Sequence, residues 1–564
     1  MEQKLSITQS MLFPNKLAID NPTTEQLDII KAVGTGDNIL VGALAGTGKT
    51  STLLMVAHQY PKRKGLYLAY NKTMQLEAKQ KFPRHIICKT VHGLAYEQIG
   101  TSFSAQLSKK VHTSFIVDYM DIHPLKEGKY FASPELLAAS ARDMVNIFSY
   151  STDKNIEPHH YSRRSIERLT DKYKDLDFDL EQIESPKTFL EHFIAESWNI
   201  ATGLWVAMSD VDNELIPANH DTYLKLYQLS RPNIQGYDYI MLDEAQDANP
   251  AILDILSHQK VQRIYIGDEY QQIYGFRGSI NAMNSIKGKT YYLTQSFRFG
   301  EAIAQEANKI LLDLKAKSYL KGYQEVQSKI SSVNKNLPYA FISRTNAALF
   351  STIIKMGEEG RKIHFVGDMN KVINLFESAY FLYKNEKNLI KDASLKRFQS
   401  WDKFTYEANL SGDHEYISMI KFVAEHQDKV PEVLKVIKNF CSYKEKEAEI
   451  VMTTAHKAKG KQWTQVHLND DFLLDRSIEE MNIYYVALTR AVHVLSLENQ
   501  FDEKGQKLLT IELVPETCWF SNVRSNVKKI DWEKLKTLTF RKASYRCEIC
   551  NKRGEKWPVE CHEI

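Results

Sequence analysis

The residues best suited to chemistry lie in a glycine-containing turn near the start of the chain. Residues 43–50 read Ala-Leu-Ala-Gly-Thr-Gly-Lys-Thr, after an apolar run at 38–41 and before a helix-forming run at 51–57. A strand, a glycine turn and a helix N-terminus direct backbone N–H groups at a phosphate. Lys49 would add a positive charge, and the Thr50 hydroxyl would be a ligand for Mg²⁺. The pattern therefore predicts an ATP site, with an ordinary tight turn as the alternative.

A pair of acids forms the second group of candidate residues. Asp243 and Glu244 follow the apolar run 237–242, at the end of a predicted strand. An acid at this place can hold Mg²⁺ against phosphate oxygens, and its neighbour can accept a proton from an attacking water. We assign Asp243 to the metal and Glu244 to the general base. A solvated acidic turn is the alternative, but the phosphate-binding turn favours the catalytic interpretation.

These residues need strands that end at a common edge. Short apolar runs bounded by turn residues are typical of buried parallel strands. Helical patterns separate most of them, which predicts an α/β fold with ligands at the carboxyl ends of the strands. The runs lie at 38–41, 66–70, 239–242, 263–266, 339–342, 363–366, 450–453, 466–468 and 492–496. Two regions, about 100–236 and 371–447, show long helical patterns and are interpreted as helical insertions.

Charge and composition restrict the class of protein. The 564 residues carry 73 Lys and Arg against 70 Asp and Glu, so any nucleic-acid contact is expected in a local groove. The N-terminus lacks a signal-peptide pattern, and we find no apolar run of about 18 residues. These features predict a cytoplasmic protein without a membrane partner. Cys88, Cys441 and Cys518 stand alone, as expected of reduced thiols.

Further motifs resemble one family. Residues 266–278, Ile-Gly-Asp-Glu-Tyr-Gln-Gln-Ile-Tyr-Gly-Phe-Arg-Gly, resemble the third motif of the UvrD-like helicases of superfamily 1. Residues 293–298, 453–463 and 484–491 are similar to the fourth, fifth and sixth motifs, and all occur in the family's order. Within the family, residues 89–96 and 258–283 look closest to the F-box DNA helicase branch and its bacterial relatives, although no F-box is visible.

The resemblance implies two RecA-like parallel-sheet domains with helical insertions, and the cysteines near residue 550 predict a small zinc-finger-like tail. The predicted domains are 1–99 with 237–292 for the first RecA-like ATPase domain, 100–236 for a helical insertion, 293–370 with 448–515 for the second RecA-like domain, 371–447 for a short helical insertion, and 516–564 for a basic, Cys-rich tail.

The resemblance also implies roles around ATP. Gln271 would contact the γ-phosphate, while Arg298 and Arg490 would act as arginine fingers from the second domain. Gln26 would read the adenine edge, Phe297 would stack on the base, and Gln462 would bind a ribose hydroxyl. The implied catalytic residues are Lys49, Asp243, Glu244, Gln271, Arg298 and Arg490, with Thr50 and Asp243 holding Mg²⁺. The implied nucleotide-binding residues are Gln26, Ala45, Gly46, Thr47, Gly48, Lys49, Thr50, Ser51, Phe297 and Gln462.

Contacts to DNA are implied along the top of the two domains. Tyr274 and Phe276 are suited to stacking on bases, since every base offers a π-face. For each isolated His or Thr, a structural hydrogen bond is the alternative. The implied DNA contacts are Tyr70, Asn71, Thr90, His92, Tyr274, Phe276, Arg344, Asn346, Thr454 and His456.

The function implied is an ATP-dependent helicase or translocase that moves 3′ to 5′ on single-stranded DNA and acts on tailed duplexes. The alternative is an ATP-gated DNA-sensing subunit of a nuclease or antiviral defence complex, with little unwinding of its own. A nuclease or another repair or defence protein is the expected partner. Three positions depart from the family pattern: Ala43 replaces a glycine, Glu269 replaces a proline, and Lys461-Gln462 replaces Leu-Glu.

The tail contains a group of possible metal ligands. Cys547 and Cys550 have the spacing of a zinc knuckle, and Cys561 and His562 offer further ligands. Zn²⁺ is predicted there, with free thiols as the alternative. The tail resembles the start of a treble-clef finger of the HNH type, so a zinc-dependent nuclease is a third hypothesis.

Overall fold

The computed structural model describes residues 22–497, apart from 108–112, 129, 163–164, 167–168, 170–183, 214, 274–282, 284–285, 345, 397, 412–413 and 473–476. The described residues form two compact units. Unit 1 comprises residues 22–91 and 233–497, and unit 2 comprises residues 92–232. The boundaries of the five domains named above remain predictions.

The strands and helices alternate through most of unit 1, as expected of an α/β fold. The strands are β1 (Ile39–Ala43), β2 (Gly65–Ala69), β3 (Ile86–Thr90), β4 (Leu125–Glu127), β5 (Tyr130–Ala132), β6 (Tyr239–Leu242), β7 (Gln262–Gly267), β8 (Lys289–Leu293), β9 (Lys329–Ile330), β10 (Tyr339–Ser343), β11 (Ile363–Phe365), β12 (Ile450–Thr454), β13 (Trp463–Leu468) and β14 (Ala491–Ser496).

The α-helices are α1 (Thr24–Val33), α2 (Lys49–Gln59), α3 (Lys72–Lys81), α4 (Val91–Gln98), α5 (Thr113–Tyr119), α6 (Pro134–Tyr150), α7 (Glu184–Ser209), α8 (His220–Leu229), α9 (Pro250–Ser257), α10 (Glu301–Asp313), α11 (Asn346–Glu358), α12 (Met369–Tyr383), α13 (Ala393–Lys396), α14 (Trp401–Ser411), α15 (His414–His426), α16 (Val430–Phe440), α17 (Ala455–Ala458) and α18 (Ile478–Leu488). Short 3₁₀ helices lie at Gly100–Phe103, Pro158–His160, Ala245–Asp247, Glu269–Gln271, Lys387–Leu389 and Gln427–Lys429.

The first sheet of unit 1 brings three chemically important strand ends together. Its six strands are parallel and run in the order β3-β2-β6-β7-β1-β8. Gly42 of β1 is in register with Gly267 of β7, and Leu242 of β6 is in register with Tyr265. The segments that follow β1, β7 and β6 therefore leave the same edge of the sheet side by side.

The second sheet of unit 1 has the same parallel character. Its strands run in the order β11-β12-β10-β13-β14-β9. Central strands β10 and β12 are buried along their whole length. One hydrophobic cluster joins Leu44, Ala45 and Ile273 from the first sheet's loops to the buried face of α18. The two sheets therefore share apolar packing next to the glycine turn.

Local sequence explains how several helices begin. Thr23 caps α1: its Oγ1 accepts a hydrogen bond from the Gln26 N–H at 3.2 Å, and Gln26 Oε1 accepts from the Thr23 N–H at 3.0 Å. This reciprocal pair is a capping box, which satisfies N–H groups that would otherwise lack partners. Ser133 caps α6, which has a proline in its first turn.

Unit 2 is mainly helical, with α6 packed along α7, and it includes an antiparallel hairpin of β4 and β5. The long helical patterns correctly indicated helices in this region, but the hairpin was not predicted. In the described part of the chain, no helix combines the length and apolar character needed to cross a lipid bilayer.

The α/β fold class with parallel sheets is confirmed, and every predicted strand is present. Strands β3, β8 and β9 were missed. β3 alternates buried and exposed positions, while the first residues of β8 and both residues of β9 are exposed. All three lie at sheet edges, where a strand does not need a continuous apolar run.

Candidate active site

The glycine turn links β1 to α2 in a conformation that demands glycine. Gly46 and Gly48 have φ of 75° and 80°, in the left-handed region that disfavours residues with a Cβ. A Cβ at Gly46 would also lie 2.6 Å from Ser296 Oγ. The Phe297 N–H donates to the Gly46 carbonyl at 2.8 Å. The turn is therefore held against the segment that follows β8.

Lys49 stands at the first position of α2 and faces a carboxylate. Its Nζ lies 3.3 Å from Glu244 Oε2, and both side chains are largely buried. Burial alone would lower the pKa of Lys49, but attraction to Glu244, Asp268 and Asp243 raises it. Burial would raise the pKa of Glu244, yet Lys49 and Lys459 lower it to about 2. Glu244 is therefore a carboxylate at neutral pH, as a general base requires.

The two side chains predicted to hold Mg²⁺, those of Thr50 and Asp243, lie in contact. Thr50 Oγ1 donates to Asp243 Oδ2 at 3.2 Å, and the Tyr67 hydroxyl donates to the same oxygen at 2.6 Å. Mg²⁺ prefers oxygen ligands and is usually bound by one or two protein groups together with substrate phosphates. The Thr50 and Asp243 side chains fit that chemistry. Burial and the Glu244 charge raise the pKa of Asp243 to about 6.

Glu244 is held in an unusual backbone conformation. Its φ is 52° and its ψ is 43°, a left-handed conformation that is uncommon for residues other than glycine. The Glu244 N–H donates to Asp243 Oδ1 at 2.9 Å, and Gln246 Nε2 donates to Glu244 Oε2 at 2.7 Å. Such strain persists only where surrounding contacts impose it, and it is enriched at active sites.

Asp268 organises the loop after β7. Its Oδ2 accepts from Gln271 Nε2 at 2.6 Å, and its N–H donates to Gln246 Oε1 at 2.9 Å. Gln271 Oε1 in turn accepts from Arg490 Nη2 at 3.3 Å. Burial raises the pKa of Asp268 to about 6. Side chains from β6, β7 and the second sheet thus form one connected network.

Two arginines beside the cleft form no salt bridge with a carboxylate of the described residues: Arg298, in the segment after β8, and Arg490, directly before β14. Arg298 donates to Gln462 Oε1 at 2.9 Å and to the Thr489 carbonyl at 2.8 Å. Arg490 is 1% exposed and donates to the Val486 carbonyl at 2.7 Å. Within the described residues, neither guanidinium forms a salt bridge. Burial lowers the pKa of Arg298 to about 10, and burial with repulsion from Arg298 lowers that of Arg490.

Glu244 and Asp268 attract both guanidinium groups, but cations desolvated without a salt bridge also favour a bound anion. A polyphosphate held by the adjacent glycine turn would supply that charge.

The predicted adenine contacts lie together beside the turn. A Cβ built on Gly48 would lie 3.4 Å from Gln26 Nε2 and 3.6 Å from the Phe297 ring. Gln26 is fully buried; besides its capping contact, its Nε2 donates to Thr52 Oγ1 at 3.2 Å. The capping box fixes the orientation of this amide.

Contacts between the sheets include residues to which the sequence assigned no role. Lys459 Nζ donates to Asp247 Oδ2 at 2.5 Å and to the Gln271 carbonyl at 2.7 Å. The Ala45 N–H donates to the Tyr485 hydroxyl at 3.1 Å. Asp268 could have been found because it follows a buried strand as Asp243 does. Lys459 and Tyr485 lie inside quoted motifs, but no local pattern shows what they contact.

The predicted DNA contacts of unit 1 follow a different group of strands. Tyr70 follows β2 and Thr90 ends β3, which are neighbours in the first sheet. Arg344 follows β10 and Thr454 ends β12, which are neighbours in the second sheet. The predicted phosphate- and Mg²⁺-binding residues instead follow β1, β6 and β7. The topology therefore separates the two groups along the strand ends; Asn346 begins α11 and His456 lies in α17.

Several of these side chains are already engaged within the protein. Arg344 forms a two-pronged ion pair with Glu480, with distances of 2.6 to 3.0 Å. Asn71 Oδ1 accepts from the Met74 N–H at 2.9 Å and caps α3. In unit 2, His92 Nε2 lies 3.2 Å from Asp221 Oδ1.

Some predictions lie outside the described residues. These are the stacking residues Tyr274 and Phe276 and the zinc ligands Cys547, Cys550, Cys561 and His562. The roles of all the site residues named above remain predictions.

Comparisons with known proteins agree with the motifs. Residues 22–290 match the UvrD/REP helicase N-terminal domain. The chain is 29% identical over 540 residues to F-box DNA helicase 1 of Gallus gallus, covering 88% of this chain and 51% of that protein. It is 32% identical over 529 residues to F-box DNA helicase protein 1 of Schizosaccharomyces pombe, covering 85% of this chain and 57% of that protein. The chain thus spans just over half the length of these relatives. The matched domain, the similar proteins and the order of the motifs together support the resemblance of this chain to the UvrD-like superfamily 1 helicases.

Proposed function

We propose that the chain is an ATP-dependent DNA helicase or translocase that moves 3′ to 5′ along single-stranded DNA. One observation carries this proposal: groups from both sheets converge on one glycine turn. Lys49, Glu244 and Gln271 follow strands β1, β6 and β7 of the first sheet. Arg298 lies in the segment after β8, and Arg490 directly precedes β14 of the second sheet. The names of the similar proteins, both DNA helicases, favour a motor over the DNA-sensing alternative.

Hydrolysis in this proposal depends on the polarity of the cleft. The turn and Lys49 hold the phosphates, and the ionised Glu244 accepts the proton of the attacking water. Arg298 and Arg490 stabilise the charge that develops on the transferred phosphoryl group. Mg²⁺ held by Thr50 and Asp243 would supply charge neutralisation at the phosphate oxygens. Gln26 and Phe297 recognise adenine beside Gly48.

Coupling to DNA follows from the topology. The single DNA strand crosses the carboxyl ends of β2 and β3 in the first sheet and of β10 and β12 in the second. Nucleotide closes the contacts between the sheets, and hydrolysis loosens them, so the two strand-end groups grip DNA alternately. Tyr274 and Phe276 stack on the bases, and Asn346 Oδ1, buried without a hydrogen-bond partner among the described residues, offers an acceptor.

The test combines hydrolysis with directional unwinding. ATP turnover is measured with and without single-stranded DNA for the native chain and for Lys49→Ala. Unwinding is measured on duplexes with a 3′ tail, a 5′ tail or no tail. We expect DNA-stimulated turnover that Lys49→Ala abolishes, and unwinding of the 3′-tailed duplex alone.

The outcomes separate the candidate functions. Turnover that is stimulated by DNA without unwinding on any substrate would support the DNA-sensing alternative. ATP turnover that is the same with and without single-stranded DNA would overturn the motor proposal. Unwinding of the 5′-tailed duplex would overturn the proposed direction.

A further inference from the structure

One tyrosine hydroxyl lies where the two sheets meet the glycine turn. Tyr485 is fully buried on α18, five residues before Arg490. Its hydroxyl accepts from the Ala45 N–H at 3.1 Å and donates to Asp268 Oδ2 at 3.4 Å. A single atom therefore joins the second sheet to the turn after β1 and to the loop after β7.

The contacts continue from Asp268 to the predicted catalytic groups. The same Oδ2 atom accepts from Gln271, which contacts Arg490. Through its N–H, Asp268 contacts Gln246, which donates to Glu244 Oε2. Every link is a direct hydrogen bond. A change at the Tyr485 hydroxyl is thus connected to both the base and the arginine finger.

Tyr485 also supports the arginines from its backbone. Its carbonyl accepts from the Thr489 hydroxyl at 2.8 Å, and the same hydroxyl accepts from Arg490 Nη2 at 2.9 Å. Arg298 donates to the Thr489 carbonyl. The helix turn that carries Tyr485 therefore also positions both guanidinium groups.

The bond lengths suggest which contact can change. A typical O–H···O bond is about 2.8 Å long, so the 3.4 Å contact with Asp268 has room to shorten. The Ala45 N–H has no exposed surface and relies on this hydroxyl. Linked hydrogen bonds also polarise one another, so shortening one contact strengthens the next.

We propose that Tyr485 is a positioning residue that couples the contact between the sheets to the phosphate-binding turn and to Glu244. Its hydroxyl transmits DNA-driven closure to the reacting groups, so it governs stimulated turnover and not nucleotide affinity. This inference rests on the proposed function, since it concerns the DNA-stimulated part of ATP hydrolysis.

The test uses Tyr485→Phe in the full chain. Phenylalanine keeps the buried ring and removes only the hydroxyl. We expect DNA-stimulated kcat to fall roughly tenfold, while the KM for ATP changes by less than about twofold. Tyr484→Phe removes a hydroxyl from the adjacent, fully buried tyrosine and is the matched control. The thermal unfolding midpoint is recorded for each protein.

A second variant keeps the test decisive if Tyr485→Phe folds poorly. Asp268→Asn retains the side-chain shape but replaces an acceptor of the Tyr485 hydroxyl with a donor. We expect a loss of stimulated kcat at least as large, because Asp268→Asn also disturbs the contact with Gln271. Adding Tyr485→Phe to this variant should cause little further loss, because the hydroxyl acts through Asp268.

The outcomes distinguish this inference from the proposed function. Native turnover without DNA stimulation would overturn the proposed function itself. Native stimulation that Tyr485→Phe fully retains would overturn only the role of Tyr485. Equal losses in the Tyr484 and Tyr485 variants, or a rise in KM without a fall in kcat, would show a structural role and would also overturn it.

Discussion

The predicted nucleotide cleft and the predicted DNA track differ in how many of their charged side chains already have a partner within the protein. In the cleft, Lys49, Glu244 and Arg490 are connected through short contacts, and two guanidinium groups lack a carboxylate among the described residues. Along the track, Arg344 is paired with Glu480, and Asn71 caps a helix. The cleft thus holds guanidinium groups without a salt bridge in the described part of the chain, whereas Arg344 and Asn71 on the track already have partners within the protein.

The difference follows from the demands of the two ligands. A phosphoryl group in hydrolysis needs fixed dipoles and charges in a site that excludes water. In the proposed motor, a DNA strand must be gripped and released, so we expect its contacts to exchange with partners within the protein. Rigid preorganisation suits the first task and switchable pairing suits the second.

The largest effect is expected from the predicted base. Glu244→Gln keeps the size and the contact with Gln246 but removes the proton acceptor, so kcat should fall about a hundredfold to ten-thousandfold. Nucleotide binding should persist, because the turn is intact. Steady-state hydrolysis and binding of a fluorescent ATP analogue measure the two effects. Glu358→Gln, at the exposed last position of α11, is the matched control. A kcat for Glu244→Gln within tenfold of the native value would contradict the role of Glu244 as the base.

Arg490 tests whether the second sheet completes the cleft. Arg490→Lys keeps the charge but cannot reach Gln271 and the Val486 carbonyl together, because lysine lacks the guanidinium fork. We expect a roughly hundredfold loss of kcat. Turnover is measured alongside the unfolding midpoint, since the site is buried. Full activity in a folded Arg490→Lys protein would mean that the second sheet contributes no essential charge.

The acid limb of the pH profile should report Asp243. Its pKa of about 6 means that it gains a proton below that pH and loses the charge that would hold Mg²⁺. Glu244, with a pKa of about 2, stays ionised over the same range. We expect kcat/KM to fall about tenfold between pH 7 and pH 5.

Magnesium provides the control for this pH effect. A higher Mg²⁺ concentration should move the acid limb to lower pH, because the cation competes with the proton for Asp243. Asp268 also has a pKa of about 6, so the profile is repeated with Asp268→Asn. If the fall in kcat/KM at acid pH does not depend on Mg²⁺ and is absent in Asp268→Asn, the titrating group is Asp268.

The smallest effect is expected on the DNA track. Glu480→Gln weakens the ion pair with Arg344 and so makes this guanidinium more available to DNA phosphates. Affinity for single-stranded DNA should therefore rise severalfold at low salt, and its salt dependence should increase by about one phosphate contact. Fluorescence anisotropy across a salt series measures affinity and its salt dependence. Glu432→Gln removes the same charge from the exposed surface of α16. Equal gains in both variants would reflect net charge, and would contradict a specific role for the Arg344–Glu480 pair.

Local pattern was sufficient for much of the fold. Runs such as 239–242 and 450–453 are buried on both faces, so continuous apolar character revealed them. Strands β3 and β8 were not predicted, because these edge strands expose alternate or terminal residues and so lack a continuous apolar run. The Gly-x-Gly-Lys-Thr turn could be found because its backbone conformation restricts which residues are possible.

The sequence by itself determined the chemistry: the glycine turn, the adjacent Asp243 and Glu244, and the order of motifs that indicates the family. These features depend on short-range geometry, which neighbouring residues specify. Only the tertiary structure decided that Tyr485 contacts Ala45, that Lys459 contacts Asp247, and that Glu480 holds Arg344. Those pairs are far apart in the chain or on different sheets. Their contacts depend on strand order and packing, which no local pattern specifies.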